Sequence, residues 1–451
     1  MPRESTMSQS AKCRPAFWVF LLVLVATSLV RQSEATQLVL NGDTYLSLQF
    51  LALLPFALMS LPSLVLRLWG SAPLSLIVGG PLFFVYAVAM DWLRGGGRFI
   101  ALTIDSAHVL IPILVAIGLF CSQSARARHQ MTKVLVVTLT LIAIIYGAVA
   151  LLVHSLEFGD LVTSRPPGHE NMMFVRLSGP LGVSTGLSMI LLPAMAVCWQ
   201  EGRRRKRFSA LWLSAAALNG FFILWTASRL SPFFLLALLL FAYSARRIVL
   251  LACIALAGAL LLGVPDMLIP EKWMRLGISD PGRSMALETT WAAFTSGWSS
   301  AFVGVGSDRL NILSQTVAQV ARGEIHFNSW NTEFGDFPYG PHSVLLWSIG
   351  SYGVLGALFR CAPFVAPWWR TIITHIRSGL PISRMPLSLF AALVSSLGFF
   401  FDDTHITHPY LVAVWFLMCF NAFDDLKRIA VPANASLRDE RYELTTAALA
   451  V

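Results

Sequence analysis

Of 451 residues, 56% are hydrophobic and 13% charged, and the mean hydropathy is +0.67. A soluble domain carries roughly a quarter charged residues, so this composition excludes an ordinary soluble enzyme and points to one integral membrane domain, residues 1–451. The formal charge of +9 sits in clusters of Lys and Arg, which read first as orientation in a bilayer and second as attraction to anionic lipid.

A hydrocarbon core ~30 Å thick needs ~20 apolar residues per helix. The first apolar segment, Ala16 to Val30, follows a basic start (Arg3, Lys12, Arg14) and has the look of a signal peptide. The stretch Arg31-Gln32-Ser33-Glu34 is a poor cleavage site, so we expect an uncleaved helix. Further spans are expected at Thr44–Leu66, Ala72–Trp92, Phe99–Cys121, Lys133–His154 and Gly179–Trp199. Phe208–Thr226, Leu230–Ser244 and Ile248–Val264 follow, and His342–Phe359, Pro386–Phe401 and Pro409–Phe423 close the set. The expected fold is therefore an all-α polytopic membrane protein of about twelve transmembrane helices.

Orientation follows from positive charge, which is retained on the cytoplasmic side. With alternating helices, Arg126, Arg128 and Lys133, then Arg203 to Arg207, then Arg246 and Arg247, then Arg360, Arg370, Arg377 and Arg384 fall on one face. Both termini are then cytoplasmic, with a charged tail at 424–451, and the long polar stretch 265–341 is a loop on the outer face. The segment Arg94 to Arg98 is the exception, since it falls on the outer face. Within the long loop, Ser284 to Ser300 spaces Met285, Leu287, Trp291, Ala292 and Trp298 as an amphipathic helix for the outer interface. Gly304-Val305-Gly306 should end it.

The six cysteines, Cys13, Cys121, Cys198, Cys253, Cys361 and Cys419, are scattered, which argues against a disulfide framework and against a CxxC metal site. No nucleic-acid module, metal site or cofactor motif stands out. Asp402, Asp403, His405 and His408 read first as an ordinary polar turn, although their spacing could also ligate a metal. Asp105 and His108 share a helix face, suiting a helix–helix hydrogen bond or a proton relay.

The residues best placed for chemistry are Arg176, Arg229, Arg283 and His342, all expected on the outer face near the membrane boundary. Each Arg alone also reads as an interfacial anchor. Together they form a set of fixed cations suited to phosphate oxygens, which guanidinium binds in a bidentate way. His342 opens a span and could accept a proton near neutral pH, as imidazole does.

These residues carry a resemblance. His342-Ser343, followed by Gly350-Ser351-Tyr352-Gly353-Val354-Leu355-Gly356, is similar to the His-Asn/Ser…Glu-x-Gly-x-x-Gly signature of bacterial O-antigen ligases and O-antigen polymerases. Arg176-Leu177-Ser178-Gly179, Thr226-Ala227-Ser228-Arg229 and the Trp-containing stretch ending at Gly304-Val305-Gly306 appear in that family's order. Ser351 stands where the family often has Glu, Val183-Ser184-Thr185 replaces an Asn-Pro-Asn-like stretch, and the Arg283 to Trp291 spacing is long. The resemblance implies a glycosyltransferase of the bacterial inner membrane, acting at the periplasmic face without metal or cofactor, and would make the 265–341 loop periplasmic. It would move a glycan from undecaprenyl diphosphate to a glycan or lipid A-core acceptor, with inversion. His342 would be the base, and Arg176, Arg229 and Arg283 would hold the diphosphate. A polymerase of the same superfamily shares these motifs. A secondary transporter or flippase is the rival class, although its ionisable residues would be expected nearer the midplane and its halves similar to each other.

Overall fold

The computed structural model describes residues 14–29, 51–59, 74–94, 99–155, 184–204, 208–226, 230–242, 281–306, 309, 310, 313, 344–401 and 409–448. Among these the chain is all helical. The helices are α1 (Pro15–Leu29), α2 (Leu74–Leu93), α3 (Phe99–Ser122), α4 (Ala125–Ser155), α5 (Ser184–Arg204), α6 (Ser209–Trp225) and α7 (Leu230–Ala242). Then come α8 (Pro281–Thr295), α9 (Trp298–Val303), α10 (Val344–Ser378), α11 (Leu387–Phe401) and α12 (Pro409–Ala448). Residues 51–58 are also helical. The expected span Ile248–Val264 and most of Thr44–Leu66 lie outside the described residues.

Among the described residues two helices are long and apolar enough to cross a membrane, Arg126–Val149 and Leu345–Ser378, of 24 and 34 residues. Five shorter apolar helices accompany them. Many large apolar side chains face outward, Leu22, Leu141, Leu211, Leu358 and Trp369 among them. Such exposure is unfavourable in water but natural where lipid tails provide the solvent. Inside, Trp415 is fully buried and meets Phe399 and Phe416 edge-on and Phe364 at a tilt, at centroid distances of 5.0, 4.8 and 5.9 Å. Its indole N–H donates to Ala392 O at 3.0 Å and Ser395 Oγ at 3.1 Å, so the bulky ring brings no unpaired donor into the core.

Interhelical bonds define one polar end of the bundle. Arg14 N–H, at the start of α1, donates to Gln123 Oε1 just past α3 at 3.0 Å. Lys133 Nζ on α4 meets Glu201 Oε2 on α5 at 2.9 Å, and Arg128 meets Asp424 on α12 at 3.5 Å. The basic residues read as one face, Arg128, Lys133 and Arg204, thus line one cleft together with Asp424 and Asn421.

Three expected boundaries are corrected. The span Lys133–His154 begins at Ala125, because the polar turn Ala125–Thr132 is helical too. The helix that holds the expected span Pro409–Phe423 does not stop there but runs on through the charged segment to Ala448. The span expected to end at Phe359 instead continues: α10 starts at Val344, passes Pro363 and Pro367 and ends at Ser378. Prolines are tolerated inside membrane helices when neighbouring groups satisfy the freed carbonyls. Arg360 is therefore no connection residue; it lies within a helix.

A candidate site at a broken helix

Helix α10 is not continuous. Gly353 has φ 69° and ψ −173°, a conformation open essentially to glycine alone. It separates a half-helix at 344–352 from the long segment 354–378. A break leaves carbonyls without intrahelical donors, and the long loop supplies them. Val305 N–H donates to Gly350 O at 3.0 Å and Gly306 N–H to Ser351 O at 2.9 Å. Tyr86 Oη, on α2, donates to Tyr352 O at 2.9 Å.

Arg94 completes the junction. Its Nη2 donates to Val303 O at 2.7 Å and Gly304 O at 2.6 Å, and its Nη1 reaches Ser351 O at 3.4 Å. One guanidinium thus gathers the end of α9 and the break in α10. Arg94, the first residue of the stretch that breaks the expected charge pattern, is engaged in capping backbone carbonyls.

The amphipathic stretch expected at Ser284–Ser300 is two helices, α8 and α9, interrupted at Ser296 and Gly297. Their buried sides pack on the half-helix. Ala293, Val305 and Leu310 form a cluster with Trp347, and Thr290 Oγ1 donates to Leu346 O at 3.5 Å. The opposite side exposes Trp291 (64%) and Trp298 (85%), as an interfacial helix pair would. Gly304 ends α9 with φ 74°, in the place expected for the break.

The catalytic expectations fall mostly beyond these elements. Arg176, Arg229 and His342 lie outside the described residues, as does the side chain of Arg283. What is described is their framework. The backbone of Arg283 lies in the first turn of α8, whose later turns pack on the half-helix that follows His342. Arg229 belongs to the four-residue connection between α6 and α7. That connection is closed by Thr226 Oγ1 and Ser231 Oγ, 3.0 Å apart and buried. The side chains of Asp105 and His108, and residues 402–408, are likewise outside the described set.

Sequence reasoning missed Arg360. It is 1% exposed and sits among the rings of an aromatic cluster. Its Cζ lies 4.5 Å from the Trp347 centroid and 5.3 Å from that of Phe83. Among the described residues none of its three guanidinium nitrogens has a hydrogen-bond partner. Two cation–π contacts supply about 0.5–2 kcal/mol each, whereas desolvating a lone ion costs several kcal/mol. Ser348 Oγ and Ser351 Oγ, on the half-helix, are also buried without a partner. The signal for Arg360 was the apolar run resuming beyond it, which the two prolines disguised as a connection.

At the polar end, Glu201 is held by Lys133 and by His129 Nε2 at 3.5 Å. Asp425 lines the same cleft, and burial pushes its carboxyl above the usual range against the opposing pull of His129, Arg428 and Arg204. Among the described residues no three His, Cys, Asp or Glu side chains gather as a metal site would require. Compared with known protein families and with curated proteins, the chain matches none.

Proposed function

We propose that this protein is a membrane glycosyltransferase that moves a glycan from a lipid diphosphate to an acceptor sugar at the face where the 265–341 loop lies. The observation that supports this reading is the docking of α8 and α9 onto the half-helix that His342 leads into. That docking brings the backbone of Arg283 and the start of α10 into one assembly. His342 would take the proton of the acceptor hydroxyl. Arg176, Arg229 and Arg283 would stabilise charge building on the departing diphosphate, as preorganised cations do. The acceptor is a glycan or lipid A-core in a ligase, and a second lipid-linked repeat in a polymerase. Both termini at the cytoplasmic face, about twelve spans and an inner-membrane location complete the proposal; the single polar end holding Arg128, Lys133 and Arg204 supports it.

The test is glycan transfer by purified protein, using a lipid-linked donor and both acceptors, with and without EDTA. Transfer should survive EDTA and be lost in His342→Ala and Arg229→Ala. Full transfer by His342→Ala removes His342 as the base.

A second reading, a transporter or flippase, gains from one observation. A discontinuous helix carrying a buried ionisable residue is a common transporter arrangement, and α10 with Arg360 has both features. Protein in liposomes separates the two, since a transporter moves its solute without forming a glycosidic bond.

A further inference from the structure

We propose that Arg360 is the cation of a lipid-phosphate site inside the bundle, taking an amphiphile with a phosphate head and hydrocarbon tails. The proposal holds under either functional reading, because it concerns binding and not turnover.

A fully buried guanidinium offers five N–H donors in a fixed fork and has no acceptor capacity of its own. Trp347 and Phe83 lie against it through their ring faces, and a ring face does not replace an oxygen acceptor for each N–H. The unmet demand is therefore for an oxyanion, and phosphate oxygens match the fork in a bidentate way. Two unpaired hydroxyls, Ser348 Oγ and Ser351 Oγ, lie on the half-helix that also carries Trp347, and hydroxyls can donate to the same kind of group. Arg360 lies within a segment long and apolar enough to span a bilayer, so the anion must reach it in lipid surroundings. The helices that hold the site, α2 and α10, expose Leu82 and Val85, and Leu355 and Leu358. Apolar surface of this kind suits hydrocarbon tails. An ionisable group at membrane depth is retained where it binds or moves something.

The experiment uses the full chain, delipidated in an alkyl maltoside, which carries no phosphate. It is titrated with dihexanoyl phosphatidic acid, dihexanoylglycerol or inorganic pyrophosphate, and binding is followed by tryptophan emission and by calorimetry. Phosphatidic acid should bind, and dihexanoylglycerol should bind at least tenfold more weakly. Arg360→Gln should weaken phosphatidic acid at least tenfold, Arg360→Lys should fall between, and Arg384→Gln, on an exposed turn, should match wild type. Because Trp347 touches the cation, most of the emission change should vanish in Trp347→Phe. That comparison decides the matter if Arg360→Gln does not fold, since an unchanged signal in Trp347→Phe overturns the site. No binding by wild type, or equal binding by Arg360→Gln, also overturns it. Pyrophosphate binding as tightly as phosphatidic acid overturns the lipid as the source of the phosphate.

Discussion

Gly304 and Gly353 meet backbone to backbone, with φ of 74° and 69°. A Cβ on Gly304 would strike the Gly353 amide nitrogen and the Ser351 carbonyl, and one on Gly353 would strike the Phe302 carbonyl. The end of α9 and the break in α10 are therefore one structural unit.

Gly353→Ala should destabilise the fold by about 2–4 kcal/mol, combining a backbone conformation closed to L side chains with overpacking against α9. Gly304→Ala should cost a similar amount, and the double variant less than the sum, since both disrupt one contact. Thermal unfolding in detergent checks this. Unchanged melting in both single variants would show that the break is held elsewhere.

Arg94→Ala removes the donor shared by Val303 O, Gly304 O and Ser351 O. The expected loss is about 1.5–3 kcal/mol, the range for hydrogen bonds from a charged group. Arg94→Lys should recover only part, because an ammonium lacks the planar fork. Hydrogen exchange at the Val305 and Gly306 amides should quicken in Arg94→Ala while exchange in α12 stays slow. Equal exchange in the two proteins would remove Arg94 from the junction.

At the polar end, buried Glu201 pairs with partly buried Lys133 at 2.9 Å. Lys133→Met should destabilise by about 3–5 kcal/mol, because it leaves a buried carboxylate short of its main partner. Adding Glu201→Gln should restore most of the loss. A double-mutant cycle on melting temperature measures it, and simple additivity would mean the pair is not coupled.

Asp425 carries a carboxyl whose pKa burial raises. A raised folded-state value means the native state favours the protonated form. The group's stabilising contribution is present below the ordinary carboxylate value, about 3.9, and is lost as pH rises through the higher folded value. His129, Arg428, Arg204 and Asp424 all act on it. Melting of Asp425→Asn relative to wild type should therefore improve as pH rises from roughly 4 toward neutrality. A pH-independent difference would show that the carboxyl is not perturbed by folding.

Hydropathy alone placed α1, α6 and α7 to within about two residues at each end, because the length of an apolar run is a local property and the bilayer demands no more. The Gly304-Val305-Gly306 break was legible for the same reason: glycine ends a helix by its own chemistry. Arg128, Lys133 and Arg204, from two of the basic clusters, line one cleft, whereas Arg360, read with them as a connection charge, lies inside a helix. The break at Gly353 was not legible, because it depends on a partner backbone from α9 and on donors from Arg94 and Tyr86, all distant in sequence. The run of α10 through Pro363 and Pro367 was not legible either, because a proline in an apolar stretch reads locally as a helix end. Arg360 changed from a connection charge to a buried cation through that same decision. Local sequence thus determined which segments are helical and apolar, and tertiary contacts alone decided where one helix breaks and which charge lies inside it.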